Sequence, residues 1–118
     1  MIKEIIEIEN ARKSQEAFEK AAIQRDLYWG YWNSKEYGND LIDLDDIKWE
    51  KDVPVCVEQM RKFGIEEFTI SSTWSGVIEV LELFEKNGVK LVGLTTVKGQ
   101  PEWDGTERTK PAFLMKVM

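Results

Sequence analysis

Between Glu67 and Val97 the hydrophobic period changes from about two residues to about 3.6 and back, and this switch limits the folds open to the chain. Glu67 to Ser71 reads as a strand with Phe68 and Ile70 on one face. Trp74, Val77, Ile78, Leu81 and Phe84 then recur at helical spacing, and Asn87-Gly88 ends that helix at Lys86. Val89 to Val97 is the next strand. Its apolar run at Leu91, Val92 and Leu94 predicts burial on both faces. A polar loop from Gly99 to Glu107 leads to a last strand, Thr109 to Val117, antiparallel to its predecessor if the loop closes a hairpin. Strand, helix and strand would form a right-handed crossover with parallel strands.

The first half is helical. Ile2 to Asp26 is rich in Glu, Lys, Ala and Ile and has neither Gly nor Pro. Ile5, Ile8, Ala11, Gln15, Phe18 and Ala22 mark one mostly apolar stripe. Gly30 and Asn33 end the regularity, and Ser34 to Asp40 reads as a polar connection. A second helix lies between about Asp45 and Phe63. Pro54 fits only its first turn, which puts the start near Asp52 as N-cap and turns Val53, Cys56, Val57 and Met60 inward, with Gly64 as the stop. The expected order is α-α-β-α-β-β. It predicts an α+β fold with an α/β-like crossover, a three-stranded mixed sheet covered by helices, in a single domain over residues 1–118.

The tract Ile65-Glu66-Glu67-Phe68-Thr69-Ile70-Ser71-Ser72-Thr73-Trp74-Ser75, with Leu81 to Gly88 and Val89 to Gly93, resembles small uncharacterised proteins of Gram-positive bacteria and their mobile elements. The resemblance spans Ile65 to Val117. It implies this fold and an accessory or phage-type role, and it implies no functional residues.

Much chemistry is excluded by composition. There is no His, so the commonest general base near neutral pH and the commonest zinc ligand are missing. Cys56 is alone, which rules out an intrachain disulfide, a zinc site of the usual spacing and a Cys-His nucleophile. Neither common Gly-rich phosphate loop occurs. The chain therefore reads as a non-enzyme with no cofactor. The opening MIKEIIEIENARK mixes charge into its apolar residues, unlike a signal peptide, and no apolar run is long enough to cross a bilayer. A cytoplasmic location is the default. A net charge of −6 argues against nucleic acid as a partner. That charge is uneven. Acids dominate from Asn33 to Met60, whereas from Lys86 onward Lys86, Lys90, Lys98, Arg108, Lys110 and Lys116 outnumber Glu102, Asp104 and Glu107.

Three places invite a function, each with an ordinary structural alternative. Tyr28, Trp29, Tyr31, Trp32 and Tyr37, with Trp103 in the late loop, are residue types enriched at binding hot spots, and equally the stuff of a core. The turn Ser71, Ser72, Thr73, Trp74, Ser75, Gly76 joins a strand end to a helix start. Its hydroxyls and N–H groups suit an anion or small ligand, and suit helix capping just as well. Asp40, Asp43, Asp45 and Asp46 supply oxygen, but their spacing misses the calcium loop. The leading expectation is a protein-interaction or accessory module. The alternatives are an acidic inhibitor or immunity-type protein that blocks a basic surface, and a ligand binder or enzyme at the Ser71–Gly76 turn. The partner expected is another protein, with the oligomeric state left open.

Overall fold

The structure, a computed structural model, describes residues 2–45, 47, 50–72 and 75–118. Among them are five helices and four strands: α1 (Ile6–Ala11), α2 (Gln15–Ala21), α3 (Arg25–Tyr37), β1 (Asp43–Leu44), α4 (Asp52–Lys62), β2 (Glu67–Ile70), α5 (Val77–Lys86), β3 (Val89–Lys98) and β4 (Thr109–Val117). The sheet is mixed, with strand order β1-β2-β4-β3. The class is α+β, as the hydrophobic periods predict.

The N-terminal half departs most from expectation. The single helix expected over Ile2 to Asp26 is broken twice. Ser14 accepts the backbone N–H of Ala17 at 3.1 Å and so starts α2 afresh, and Ala22 takes the left-handed conformation, φ 51°, that closes it. Gly30 does not stop a helix. It lies within α3, which Gln24 opens by accepting the Leu27 N–H at 2.9 Å and Gly38 closes at φ 79°. A Cβ on Gly30 would sit 2.8 Å from the Asp43 carbonyl oxygen, so its bareness lets α3 lie directly on β1. That contact fixes the strand the sequence did not reveal. Two residues are too few for a visible alternation, and β1 pairs parallel to β2 with Asp43 opposite Thr69 and Leu44 opposite Ile70. The sheet accordingly has four strands, not three.

β2 and β3 do run in the same direction, but β4 lies between them, antiparallel to both. β3 is thus an edge strand. Leu91, Val92 and Leu94 are exposed, which corrects the expectation of burial on both faces. On α5 the inward residues are Val80 and Phe84, with Val77 and Leu81 packed beside them, while Ile78 faces outward at 71 % exposure. Trp74 lies outside the described residues. α4 matches its pattern: Val53, Cys56, Val57 and Met60 are buried, although Lys51 and not Asp52 occupies the N-cap. One hydrophobic cluster joins Ile8, Leu27, Tyr31, Leu44, Met60, Phe68, Ile70, Phe84 and Met115. No helix among the described residues is long and apolar enough to cross a membrane.

Candidate functional site

The helical period of α3 sorts its aromatics. Leu27, Tyr28, Tyr31 and Ser34 are buried along one face, and Trp29 points away, 54 % exposed. Tyr28 packs edge-on against Phe18 at 4.8 Å between centroids. Tyr31 is wholly buried. Its hydroxyl accepts the Ile5 N–H at 3.2 Å and donates to Glu9 Oε1 at 2.8 Å, while Lys35 donates to the same Glu9 oxygen. Tyr28 and Tyr31 therefore serve the core, and the hydrogen bond from Lys35 holds the Glu9 carboxyl below its usual range. Trp32 is partly covered, with the Arg12 guanidinium 4.4 Å above its ring, and its Nε1 is buried without a hydrogen-bond partner among the described residues. Trp29, Trp32, Arg12, Lys35 and Glu36 line a groove of about 490 Å³. Sequence reasoning missed Arg12, which joins this groove only because the break at Ser14 folds α1 back toward α3.

The end of β2 is organised around a buried carboxylate. Asp43 accepts Thr69 Oγ1–H at 2.7 Å and Ser71 Oγ–H at 2.5 Å, and its own N–H donates to Ser34 Oγ at 2.9 Å. Burial raises its pKa, and the two hydroxyl donors and Lys110 pull the other way. Ser71 thus spends its hydroxyl on Asp43, and a buried carboxylate beside the turn repels an anion. Ser72 is buried as well. Ser75 is exposed, and Gly76 is the N-cap of α5 with no side-chain cap bond, so Ser75 does not supply the expected capping hydroxyl. Thr73 lies outside the described residues.

Past the carboxyl ends of β1, β2 and β3 is a polar hollow of about 220 Å³, where α/β folds place ligands. Tyr37, Asn39, Asp45, Lys98, Arg108 and Lys110 line it with Asp43 at its wall. Burial, with Glu36 and Asp45 nearby, raises the Tyr37 pKa. The cations are largely spoken for: Arg108 is paired with Glu102, Lys98 lies 3.7 Å from Glu107, and Lys110 faces Asp43. Among the described residues no cluster of three metal-ligating side chains occurs. Asp45 shares this hollow with Asp43, Asp40 does not line it, and Asp46 is not among the described residues.

The loop between β3 and β4 is held by its own bonds. Gly99 N–H donates to Arg108 O, Glu102 N–H to Thr106 O and Gly105 N–H to Glu102 O, each at 2.9 Å. Thr106 N–H donates to Asp104 Oδ1 at 2.9 Å, and Arg108 Nε to Glu102 Oε1 at 2.9 Å. On this fixed loop Trp103 stands 96 % exposed. The structure therefore brings Trp29 and Trp32 together on one groove and sets Trp103 apart on the hairpin.

Among curated proteins none matches the chain. A family model does match, that of a domain of unknown function (DUF7698), over residues 26–117, from the first turn of α3 to the end of β4, and the chain belongs to that family.

Proposed function

We propose that the chain is a non-enzymatic interaction module that grips a partner protein with the tip of the β3–β4 hairpin. The observation that carries this reading is Trp103, a large apolar ring 96 % exposed on a loop fixed by five hydrogen bonds around it. An exposed indole contributes nothing to folding, yet Trp is the residue most enriched at binding hot spots. A loop already ordered loses little entropy on docking. The absence of His and the burial of the single Cys fit a role without covalent chemistry.

Capture from cells that make this protein, using the parent chain, Trp103→Ala and Trp29→Ala, tests the reading. Trp103→Ala should leave stability within about 0.5 kcal/mol, as surface changes do, and should lose a partner that the parent retains. A partner held equally by Trp103→Ala, or none held by the parent, overturns it.

A further inference from the structure

β3 is where the sheet stops. Among the described residues its only strand partner is β4, and Asn39 closes the free side at one end, its side chain accepting the Lys98 N–H at 2.8 Å and donating to the Lys98 carbonyl at 2.9 Å, so the open edge runs from Val89 to Val97. Such edges are normally blunted by charge, Pro or a bulge. Here Lys90 and Lys98 stand at the ends and an irregularity falls between Leu91 and Gly93, but Gly93 to Val97 carries neither charge nor Pro. Leu91, Val92 and Leu94 are exposed beside this open run, Leu94 at 77 %.

The charges across the sheet say what would cover it. Glu67 on β2, Lys116 on β4 and Lys90 on β3 stand directly opposite one another in register, in that order. Glu67 answers Lys116 on one side, but Lys116 meets Lys90 on the other, and like charges facing each other destabilise a sheet. Neither lysine is in an ion pair among the described residues. The next place in this row calls for a carboxylate. A second copy of the chain does not supply one: antiparallel pairing of two β3 strands about Leu94 sets Lys90 against Lys98. On the other face, Leu91 and Leu94 lie opposite Met115 and Phe113 and extend the apolar surface to the edge.

We propose that the open edge of β3 takes an extended acidic segment of a partner protein as an added strand, with a carboxylate beside Lys90 and apolar or β-branched side chains beside Leu91 and Leu94. Main-chain bonds would supply the affinity and the alternate side chains the specificity, as in other strand additions. This rests on the reading of the chain as an interaction module and adds the chemistry of its partner.

The probes are two blocked peptides of alternating Thr and Val, one ended by Glu and one by Lys. The measurements are backbone amide shifts, amide hydrogen exchange and sedimentation of the intact chain. The Glu-ended peptide should slow exchange along β3 and bind about three- to fivefold tighter than the Lys-ended one, the scale of one or two cross-strand ion pairs. Lys90→Glu should reverse that preference and leave the melting temperature at or slightly above the parent's, since Glu then faces Lys116. Failure of both peptides to protect β3, equal binding of the two, or a preference unmoved by Lys90→Glu overturns the proposal. So does a dimer that protects β3 without peptide, which would make a second copy the occupant. If the peptides fail while capture still depends on Trp103, only the strand addition is wrong. If they bind while capture ignores Trp103, it is the hairpin-tip reading that falls.

Discussion

Gly30 is the position where helix propensity and packing predict opposite signs. In an exposed helix interior, Gly→Ala gains about 1 kcal/mol from the lower entropy of the unfolded chain and better helix propensity. Gly30 lies within α3, so Gly30→Ala collects that gain. The new methyl, however, would meet the Asp43 carbonyl oxygen at 2.8 Å, Leu44 Cδ2 at 3.2 Å and Ile42 Cγ2 at 3.3 Å. The first neighbour is backbone of a strand held in register by β2, so it cannot swing aside as a long side chain would. Overpacking of this kind costs about 1–3 kcal/mol. The net expectation is a loss of about 1 kcal/mol, near 4 °C in melting temperature for a domain of this size. Any shift of β1 also disturbs the Asp43 N–H to Ser34 Oγ bond, so amide exchange at Asp43 should quicken. Urea unfolding of parent and variant, with exchange measured at that amide, makes the test. Gly93, whose added Cβ would find nothing within 4 Å, is the control, and Gly93→Ala should be neutral or stabilising. A Gly30→Ala chain more stable than its parent would refute the claim that close approach, not flexibility, places a glycine there.

Two more outcomes follow from the buried ionisable groups. Burial raises the Asp43 pKa, so its contribution to stability is fully present below the unfolded value, about 3.9, and is lost as pH rises through the folded one. The stability of the parent relative to Asp43→Asn should therefore improve as pH falls from 7 toward 4 in denaturant titrations, and a difference independent of pH would contradict it. Cys56 is wholly buried and burial pushes its thiol pKa up, so a thiol reagent should label the native chain far more slowly than the unfolded one, and equal rates would sink the assignment.

What the sequence revealed, and what it hid, follows from the range of the interactions involved. α4, α5 and the β3–β4 hairpin were legible because their signals are local: apolar spacing, Pro54 in a first turn, Asn87-Gly88 after Lys86. β1 was not, because a strand of 2 residues exists only through Thr69, Ile70 and the bare face of Gly30. The place of β4 between β2 and β3 is likewise a long-range fact, and it turned Leu91 and Leu94 from expected core into an exposed edge. The site followed the same division. Helical period alone separates Tyr28 and Tyr31 from Trp29 on α3, so one exposed aromatic was foreseeable. Asp43 looked like one acid among several, and only the fold gives it the Thr69 and Ser71 hydroxyls and buries it.

The way the chain uses its aromatic residues ties these surfaces together. Among the described residues the fully buried large rings are Tyr31, Phe68 and Phe84, and no Trp is one of them. Trp103, 96 % exposed, adds almost nothing to folding, and Trp29 adds only its covered half, packed edge-on against Tyr28 at 5.1 Å. The two lie on surfaces that meet. Asn33 lines the groove of Trp29 and also the hollow of Lys98, Gly99 and Arg108, at the root of the loop that carries Trp103. A partner that docked from α3 to the hairpin would cover both tryptophans, and a specific interface needs about 800 Å² on each side. The β3 edge, leaving the same hairpin in the other direction, adds a strand-shaped contact to that area. On this reasoning Trp29→Ala weakens a partner that spans both surfaces less than Trp103→Ala does, since the exposed half of Trp29 is smaller than the nearly bare ring of Trp103.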